Sequence, residues 1–215
     1  MEFEKMDYSE WETPVPKSKP ARNRQRRVSG PAATMLSYLH DLVFSLIIVF
    51  IILFFLFRIV IVSGPSMNRT LLDGDCLILA SGILYQTPKQ GDIVVACKDD
   101  FRNGELIIKR VIATEGQTVR IDYSAGIVYV DDVPLEEPYV NTPTNLEEGS
   151  ENPQIVKKGH VFVMGDNRND SMDSRHPDVG QIDCREILGK AVFLFYPGTN
   201  NGSEKRQYSR IGVLA

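Results

Sequence analysis

The sequence predicts a mainly β protein: an antiparallel, barrel-like β-sheet domain behind one N-terminal transmembrane helix. The first observation is an apolar run at residues 42–62, in which only Ser45 and Arg58 are polar. The second is that residues 63–215 form short β-rich runs separated by Gly, Asp, Asn and Pro. The 215 residues are 43% hydrophobic and 24% charged, which argues against wholesale disorder and against a polytopic membrane protein.

Residues 1–35 are polar, with acidic residues first and basic residues after them. The basic residues are interleaved with prolines: Lys17, Lys19, Arg22, Arg24, Arg26 and Arg27. Such a segment has too little apolar surface to offset the entropy of ordering it. We therefore predict a disordered cytoplasmic tail over 1–35, with its basic cluster just before the apolar segment.

Residues 36–62 are predicted to form an uncleaved membrane anchor helix. The 21 residues of the apolar run would span about 30 Å as a helix, the thickness of a hydrocarbon core. The alternative is a buried helix of a soluble protein, but few such helices are apolar on every face. The run exceeds the roughly 7–15 apolar residues of a cleavable signal peptide. By the positive-inside rule, the preceding basic cluster predicts a single-pass cell-membrane protein with a cytoplasmic N-terminus and an extracytoplasmic domain over 63–215.

The domain over 63–215 is predicted to contain seven short strands and no amphipathic helix of three turns. The predicted strands cover residues 76–80, 92–96, 105–113, 118–123, 126–130, 160–164 and 189–196. Residues 131–132 are two aspartates after an alternating run, which indicates a hairpin turn. Residues 141–158 are polar and contain Pro and Gly, so we predict a long loop there.

Composition excludes several classes of site. The net charge of −4 argues against a nucleic-acid partner bound through a positive field. Cys76, Cys97 and Cys184 lie far apart without a CxxC pair, so neither a zinc site nor a disulfide framework is predicted. Since no His, Cys and carboxylate cluster has the spacing of metal ligands, we expect no metal and no cofactor.

Two polar segments are candidates for chemistry: Ser-Gly-Pro-Ser-Met-Asn-Arg-Thr-Leu at 63–71 and Met-Gly-Asp-Asn-Arg-Asn-Asp-Ser-Met-Asp-Ser-Arg at 164–175. Taken alone, each is also compatible with a solvated loop. A Ser-His-Asp triad would have to use His160 or His176. The first begins a predicted strand and the second precedes a proline, which favours edge or surface positions for both.

A Ser-Lys dyad fits the sequence better. Lys109 follows two isoleucines on a strongly apolar strand. A lysine acts as a general base only when neutral, which requires burial, and lowering its pKa by about three units from about 10.4 costs about 4 kcal/mol. The alternative is an outward-pointing strand lysine, which the period of two residues permits equally well.

Four ordered segments carry a resemblance to a known family. They are Gly-x-Ser-Met-x-x-Thr-Leu at 64–71, Gly-Asp-Ile-Val-Val at 91–95, Lys-Arg-Val at 109–111 and Gly-Asp-Asn-Arg-x-x-Ser-x-Asp-Ser-Arg at 165–175. With the N-terminal anchor they resemble type I signal peptidases, of the form found in Gram-positive bacteria. These are membrane-anchored serine proteases that remove signal peptides from exported precursors.

The resemblance implies roles for individual residues. Ser66 would be the nucleophile and its backbone N–H an oxyanion donor, Lys109 the general base, and Ser171 the hydroxyl that orients the lysine amine. Four residues would give structural support: Asp166, Arg168, Asp173 and Arg175. Five would line the pockets for small substrate residues: Val60, Val62, Met67, Leu71 and Ile108. The partners would be signal peptides of secretory precursors and the lipid bilayer, with no nucleic acid.

Two departures from the family and two alternative functions stay open. Arg69 stands where the family commonly has proline, and Gly64 replaces a serine that Gram-negative members use as a second oxyanion donor. One alternative is a catalytically inactive anchored β domain that binds partners. The other is a self-cleaving Ser-Lys protein, although its relatives carry a DNA-binding domain where this chain has an apolar segment.

Overall fold

A computed structural model of the chain describes residues 30–98, 104–199 and 205–214. One α-helix, α1, covers Pro31–Leu56, and its large apolar side chains from Met35 to Phe55 are exposed. Its length and composition suit a membrane span. Most of the predicted disordered tail lies outside the described residues, and residues 31–35 belong to α1 instead.

The predicted anchor boundaries are wrong at both ends. The helix begins five residues before position 36 and ends at Leu56, six residues before position 62. The segment Phe57–Ile61 is instead a strand, which pairs antiparallel with Cys76–Ser81. Hydrogen bonding to a neighbouring strand suits the β-branched residues of this segment, and it replaces the helical ladder there.

The strands number twelve within the described residues. In chain order they are β1 (Phe57–Ile61), β2 (Cys76–Ser81), β3 (Ile93–Cys97), β4 (Leu106–Thr114), β5 (Thr118–Asp122), β6 (Ile127–Val130), β7 (Val133–Pro134), β8 (Gln154–Ile155), β9 (His160–Met164), β10 (Ile182–Asp183), β11 (Ile187–Tyr196) and β12 (Gly212–Val213). The large sheet has the order β1-β2-β11-β3-β4-β9-β10, with β12 paired to β11, and the small sheet has the order β7-β6-β5-β8. All pairs are antiparallel, which confirms the predicted fold class.

The predicted strands are all present, with ends shifted by at most two residues. The hairpin turn at 131–132 is confirmed: Asp131 and Asp132 both have positive φ, 51° and 63°, as a type I′ turn requires. The loop at 141–158 is irregular apart from the two residues of β8. Between residues 57 and 214, the described part of the chain contains no α-helix, as predicted.

Three apolar clusters form the core of the strand-containing part. The first cluster joins residues of β2, β3 and β11 to Val62, Met67 and Leu71. The second lies around β4, β9 and β10, and the third packs the small sheet against β4 and β9. The segment after β1 is therefore part of the core, which fixes the backbone around Ser66. All three cysteines are free thiols.

Candidate active site

The structure brings Ser66 and Lys109 into hydrogen-bond contact. Lys109 Nζ lies 2.8 Å from Ser66 Oγ and also donates to the carbonyl of Ile108 at 3.2 Å. Ser66 lies in a turn after β1, where the N–H of Asn68 donates to the carbonyl of Pro65 at 2.9 Å. The two segments are 43 residues apart in sequence, so the contact is made by the fold.

Lys109 is buried by its position in the sheet. β4 lies between β3 and β9, and its residues 107–113 are all buried, with Lys109 itself only 5% exposed. The alternative of an outward-pointing strand lysine is therefore wrong. Burial disfavours the charged form of an amine, because the ammonium loses its hydration. The position is suited to a lysine that must be neutral to act as a base.

The backbone around Ser66 is held from two sides. The N–H of Asn167 donates to the carbonyl of Ser66 at 3.0 Å, and Asn167 Nδ2 donates to the carbonyl of Pro65 at 3.1 Å. On the other side, the N–H of Gly64 donates to Asp73 Oδ1 at 2.9 Å. Gly64 has a φ of 87°, a conformation that a glycine adopts without strain. Asn167 and Asp73 are not among the site residues predicted from the sequence.

Ser171 lies in the same groove as the dyad. Its hydroxyl donates to Asp173 Oδ2 at 3.0 Å, and the N–H of Gly165 donates to the same oxygen at 2.9 Å. A Cβ at Gly165 would stand 2.2 Å from Ser171 Oγ and 2.5 Å from the carbonyl oxygen of Ser66. The absence of a side chain at Gly165 thus allows the segment around Ser66 to pack against the segment 164–175. The orientation of Lys109 by Ser171 stays a prediction.

The predicted support residue Asp166 forms a buried ion pair with Arg110. Arg110 Nε and Nη2 donate to the two carboxylate oxygens of Asp166 at 2.9 and 2.7 Å. The same carboxylate accepts a hydrogen bond from Thr70 Oγ1, four residues after Ser66. The pair therefore links β4, next to Lys109, with the segment that carries Ser66. Arg110 is not among the support residues predicted from the sequence, although its place beside Lys109 on an apolar strand was a signal.

The other predicted support residues join the polar segment 164–175 to Glu137 and to the loop at 141–158. Arg168 pairs with Glu137 and donates to Thr144 Oγ1 at 3.0 Å. Arg175 donates to both carboxylate oxygens of Asp173 at 2.8 Å. These four charged residues predicted as support are all buried: Asp166, Arg168, Asp173 and Arg175.

Glu148 adds a second carboxylate beside Arg175. Its Oε1 lies 3.4 Å from Arg175 Nη2, and its side chain is 8% exposed. Burial and the nearby Asp173 raise the pKa of Glu148, while Arg175 opposes the rise. The Arg175 guanidinium thus lies between two buried carboxylates, and Asp173 is the better-bonded of the two.

A groove of about 540 Å³ opens beside the dyad. Of the five predicted pocket residues, Val60, Val62, Met67 and Ile108 line it. Leu71 does not, because it is fully buried in the first core cluster. The groove is also lined by residues 105–107 at the start of β4 and by Asp170–Met172.

The two departures from the family have structural counterparts. Arg69 has a φ of 63°, which a proline cannot adopt because its ring fixes φ near −65°. Gly64 lines the groove without offering a side-chain donor, next to Ser63, which also lines it. The turn around Ser66 is therefore closed differently from one built on proline.

Comparison with known proteins places the chain in a family. The family described as "Signal peptidase, peptidase S26" matches residues 35–196. A probable signal peptidase I-1 of a Synechocystis species is 36% identical over 169 residues, covering 75% of this chain and 82% of the relative. Signal peptidase I T of Bacillus subtilis is 33% identical over 187 residues, covering 81% and 92%.

A solved structure of a signal peptidase I from Enterococcus faecalis is 28% identical, with a TM-score of 0.39, covering 48% of this chain and 96% of that one. The family match spans most of the chain, from α1 to the end of β11. It includes Ser66, Lys109 and the whole polar segment at 164–175. The chain belongs to the signal peptidase family, peptidase S26.

Proposed function

We propose that this chain is a signal peptidase I, a serine endopeptidase that removes N-terminal signal peptides from exported precursor proteins. The observation that carries the assignment of residues is the 2.8 Å contact between Lys109 Nζ and Ser66 Oγ beside an open groove. The family supplies the reaction. An inactive domain that only binds partners would have no use for a buried lysine held against a hydroxyl.

The reaction proceeds by nucleophilic catalysis. Ser66 Oγ attacks the carbonyl carbon of the scissile peptide bond while its proton passes to the neutral amine of Lys109. The tetrahedral intermediate collapses, the C–N bond breaks, and the Lys109 ammonium returns the proton to the leaving amine. Water then attacks the ester on Ser66 with Lys109 again as base, releasing the signal peptide and the free serine. The oxyanion is stabilised by the backbone N–H of Ser66.

Substrate specificity would come from the groove. An extended peptide can add as a strand beside residues 60–62 and 105–109, which both line the groove. Val60, Val62, Met67 and Ile108 would form shallow apolar walls that accept small residues at positions −1 and −3 from the cut. Ser171 would orient the amine of Lys109, and Asp166, Arg168, Asp173 and Arg175 would hold its segment in place.

Membrane attachment would place enzyme and substrate in one plane. The apolar helix α1 anchors the chain, and the basic residues before it favour a cytoplasmic N-terminus with residues 63–215 outside. Ser66 follows the end of α1 by ten residues. Signal peptides are held in the bilayer by their own apolar cores, so tethering raises the effective concentration of the cleavage site.

The test is cleavage of a purified precursor by the full chain in detergent, comparing Ser66→Ala, Lys109→Ala and Lys157→Ala. Lys157 is exposed and serves as the matched lysine control. We expect both dyad variants to lose at least about 10³-fold in kcat/KM while staying folded at the assay temperature, and the control to match wild type. Wild-type processing by Lys109→Ala would refute the dyad, and an inert wild-type chain would refute the function.

A further inference from the structure

The C-terminal segment 205–214 lies beyond the part of the chain that the family matches, yet it packs against the segment carrying Ser66. β12 pairs with β11, with Val213 opposite Phe193, and the N–H of Leu214 donates to the carbonyl of Val192 at 3.0 Å. Leu214 also packs on the first core cluster, which contains Met67 and Leu71. The segment is therefore an integrated part of the domain.

Arg210 joins the C-terminal segment 205–214 to the segment 70–75, which follows Ser66, through hydrogen bonds and an ion pair. Its Nη1 donates to Asp75 Oδ1 at 2.9 Å, and its Nη2 donates to Asp75 Oδ2 at 2.6 Å and to the carbonyl of Thr70 at 3.1 Å. Asp75 is fully buried and also accepts from the N–H of Leu72 at 2.7 Å and of Gly198 at 2.6 Å. The Arg210 guanidinium thus binds residues at both ends of the segment 70–75 and holds these ends together.

The segment 70–75 in turn fixes the backbone just before Ser66, at Val62 and Gly64. The N–H of Gly74 donates to the carbonyl of Val62 at 2.9 Å, and the N–H of Val62 donates to the carbonyl of Asp75 at 2.8 Å. Asp73 accepts from the N–H of Gly64. The backbone on either side of Ser66 is therefore fixed to a segment whose two ends meet at Arg210.

We propose that Arg210 is a positioning residue for peptide-bond cleavage. It keeps the segment 70–75 closed and thereby keeps Ser66 Oγ at the distance from Lys109 Nζ that proton transfer needs. This inference rests on the proposed function. A reacting group misplaced by about 1 Å costs on the order of 10² in rate. Residues 105–109 and 170–172, which also line the groove, are not held by Arg210, so we expect them to keep most of the affinity for the peptide.

The test compares Arg210→Ala with Arg206→Ala in the full chain. Arg206 lies on the same segment but contacts only the carbonyl of Pro197 and the ring of Tyr196 among the described residues. We expect kcat of Arg210→Ala to fall about 10- to 100-fold with KM within about twofold, and millimolar guanidinium to restore part of it. We expect Arg206→Ala to keep kcat within about twofold and to gain nothing from guanidinium.

Two further measurements separate positioning from folding and from the proposed function. Hydrogen exchange in peptides covering residues 62–75 needs no activity, and we expect faster exchange in Arg210→Ala than in Arg206→Ala. Arg210→Lys keeps the charge but cannot bridge both Asp75 oxygens and the carbonyl of Thr70, so kcat should fall about tenfold with a near-native melting temperature. This variant decides the matter should Arg210→Ala not fold.

The outcomes that overturn the proposal are specific. They are a kcat within about twofold of wild type in a folded Arg210 variant, or a loss of kcat no larger than the loss of folded protein. Unchanged exchange over 62–75 in Arg210→Ala also overturns it. A wild-type chain that cleaves no precursor would refute the proposed function, while the exchange comparison would still test the contact.

Discussion

The large and the small sheet differ in the kinds of side chain that they bury. The small sheet buries only apolar side chains from its two longer strands: Val119 and Ile121 of β5, Val128 and Val130 of β6. The large sheet and its loops bury a lysine, three arginines and several carboxylates around Ser66. A strand with one apolar and one polar face stabilises a sheet without burying any charge. Buried charges, in contrast, lose their hydration, and this loss must be offset by ion pairs and hydrogen bonds.

The difference teaches where function resides. Buried polar groups cost free energy, and replacing them by apolar groups of similar volume is often neutral or stabilising. The buried polar groups are concentrated around Ser66. We therefore infer that they are kept there to hold the geometry of the site, at a cost in stability. Substitutions of the buried charges beside the large sheet should change activity, stability or both, and substitutions in the small sheet should leave kcat unchanged.

The largest effect is expected from Lys109→Met. Methionine fills a similar volume without an amine, so the proposed general base is lost while the packing is kept. We expect kcat/KM for precursor cleavage to fall at least about 10³-fold, and the free energy of unfolding to stay equal or rise, because no amine is buried. Kinetics and thermal melting on the same sample check both. A large drop in melting temperature would assign Lys109 a structural task and break the comparison.

The second effect concerns the ion pair between Arg110 and Asp166. Asp166→Asn leaves a buried guanidinium without its full counter-charge, which costs about 3–5 kcal/mol of unfolding free energy. The matched change in the small sheet is Asp132→Asn, where the carboxylate is 92% exposed and lies 3.6 Å from Arg120. Asparagine also tolerates the positive φ of this turn. Chemical denaturation should show a large loss of unfolding free energy for Asp166→Asn and none for Asp132→Asn. Equal losses would contradict the difference between the two sheets.

The sequence was sufficient for the strands and for the two central residues of the site. Period-two alternation bounded by Gly and Asp marks β5 and β6, and the resemblance of four segments to a known family links Ser66 with Lys109. The end of α1 was mispredicted because residues 57–61 are as apolar as the helix before them. Only the pairing of these residues with β2 decides their conformation, and that pairing is a property of the whole sheet.

The remaining parts of the site depend on contacts between distant segments. Leu71 shares the apolar character of Met67, yet one is core alone and the other also lines the groove. The partner of Arg110 is 56 residues away, and Arg210 reaches Asp75 across 135 residues. No local pattern contains these pairings, because they are set by how the sheets fold back on themselves.

The third prediction uses the same substitution in each region. Gly165→Ala would bring its Cβ to 2.2 Å from Ser171 Oγ and 2.5 Å from the carbonyl of Ser66, so the dyad geometry must shift. Gly126→Ala would bring its Cβ to 2.2 Å from Pro143 Cβ at a φ of 71°. We expect about a 10²-fold loss of kcat from the first.

From Gly126→Ala we expect unchanged kcat and a loss of about 2–4 kcal/mol in unfolding free energy. Steady-state kinetics below the melting temperature of each variant, with denaturation curves, separate the two effects. A loss of kcat in folded Gly126→Ala would show that the small sheet also sets the geometry of the site.

The smallest effect is expected at Glu148, in the loop between β7 and β8 of the small sheet. Burial and Asp173 raise the pKa of Glu148 above its ordinary value of 4.5, against the pull of Arg175. A raised carboxyl pKa means that the folded state favours the protonated form. Its contribution to stability is therefore complete below pH 4.5 and is lost as the pH rises through the raised pKa.

Glu148→Gln stays neutral at every pH, so it should melt above wild type at pH 8, and the gap in melting temperature should close as the pH falls toward 4.5. Melting curves across this range, with Glu151→Gln at an exposed position of the same loop as control, measure the gap. A variant that melts below wild type at pH 8 would mean that the ion pair with Arg175 outweighs the cost of burying the charge. The loop would then be held to the site by attraction, and the buried charges of this region would support stability as well as geometry.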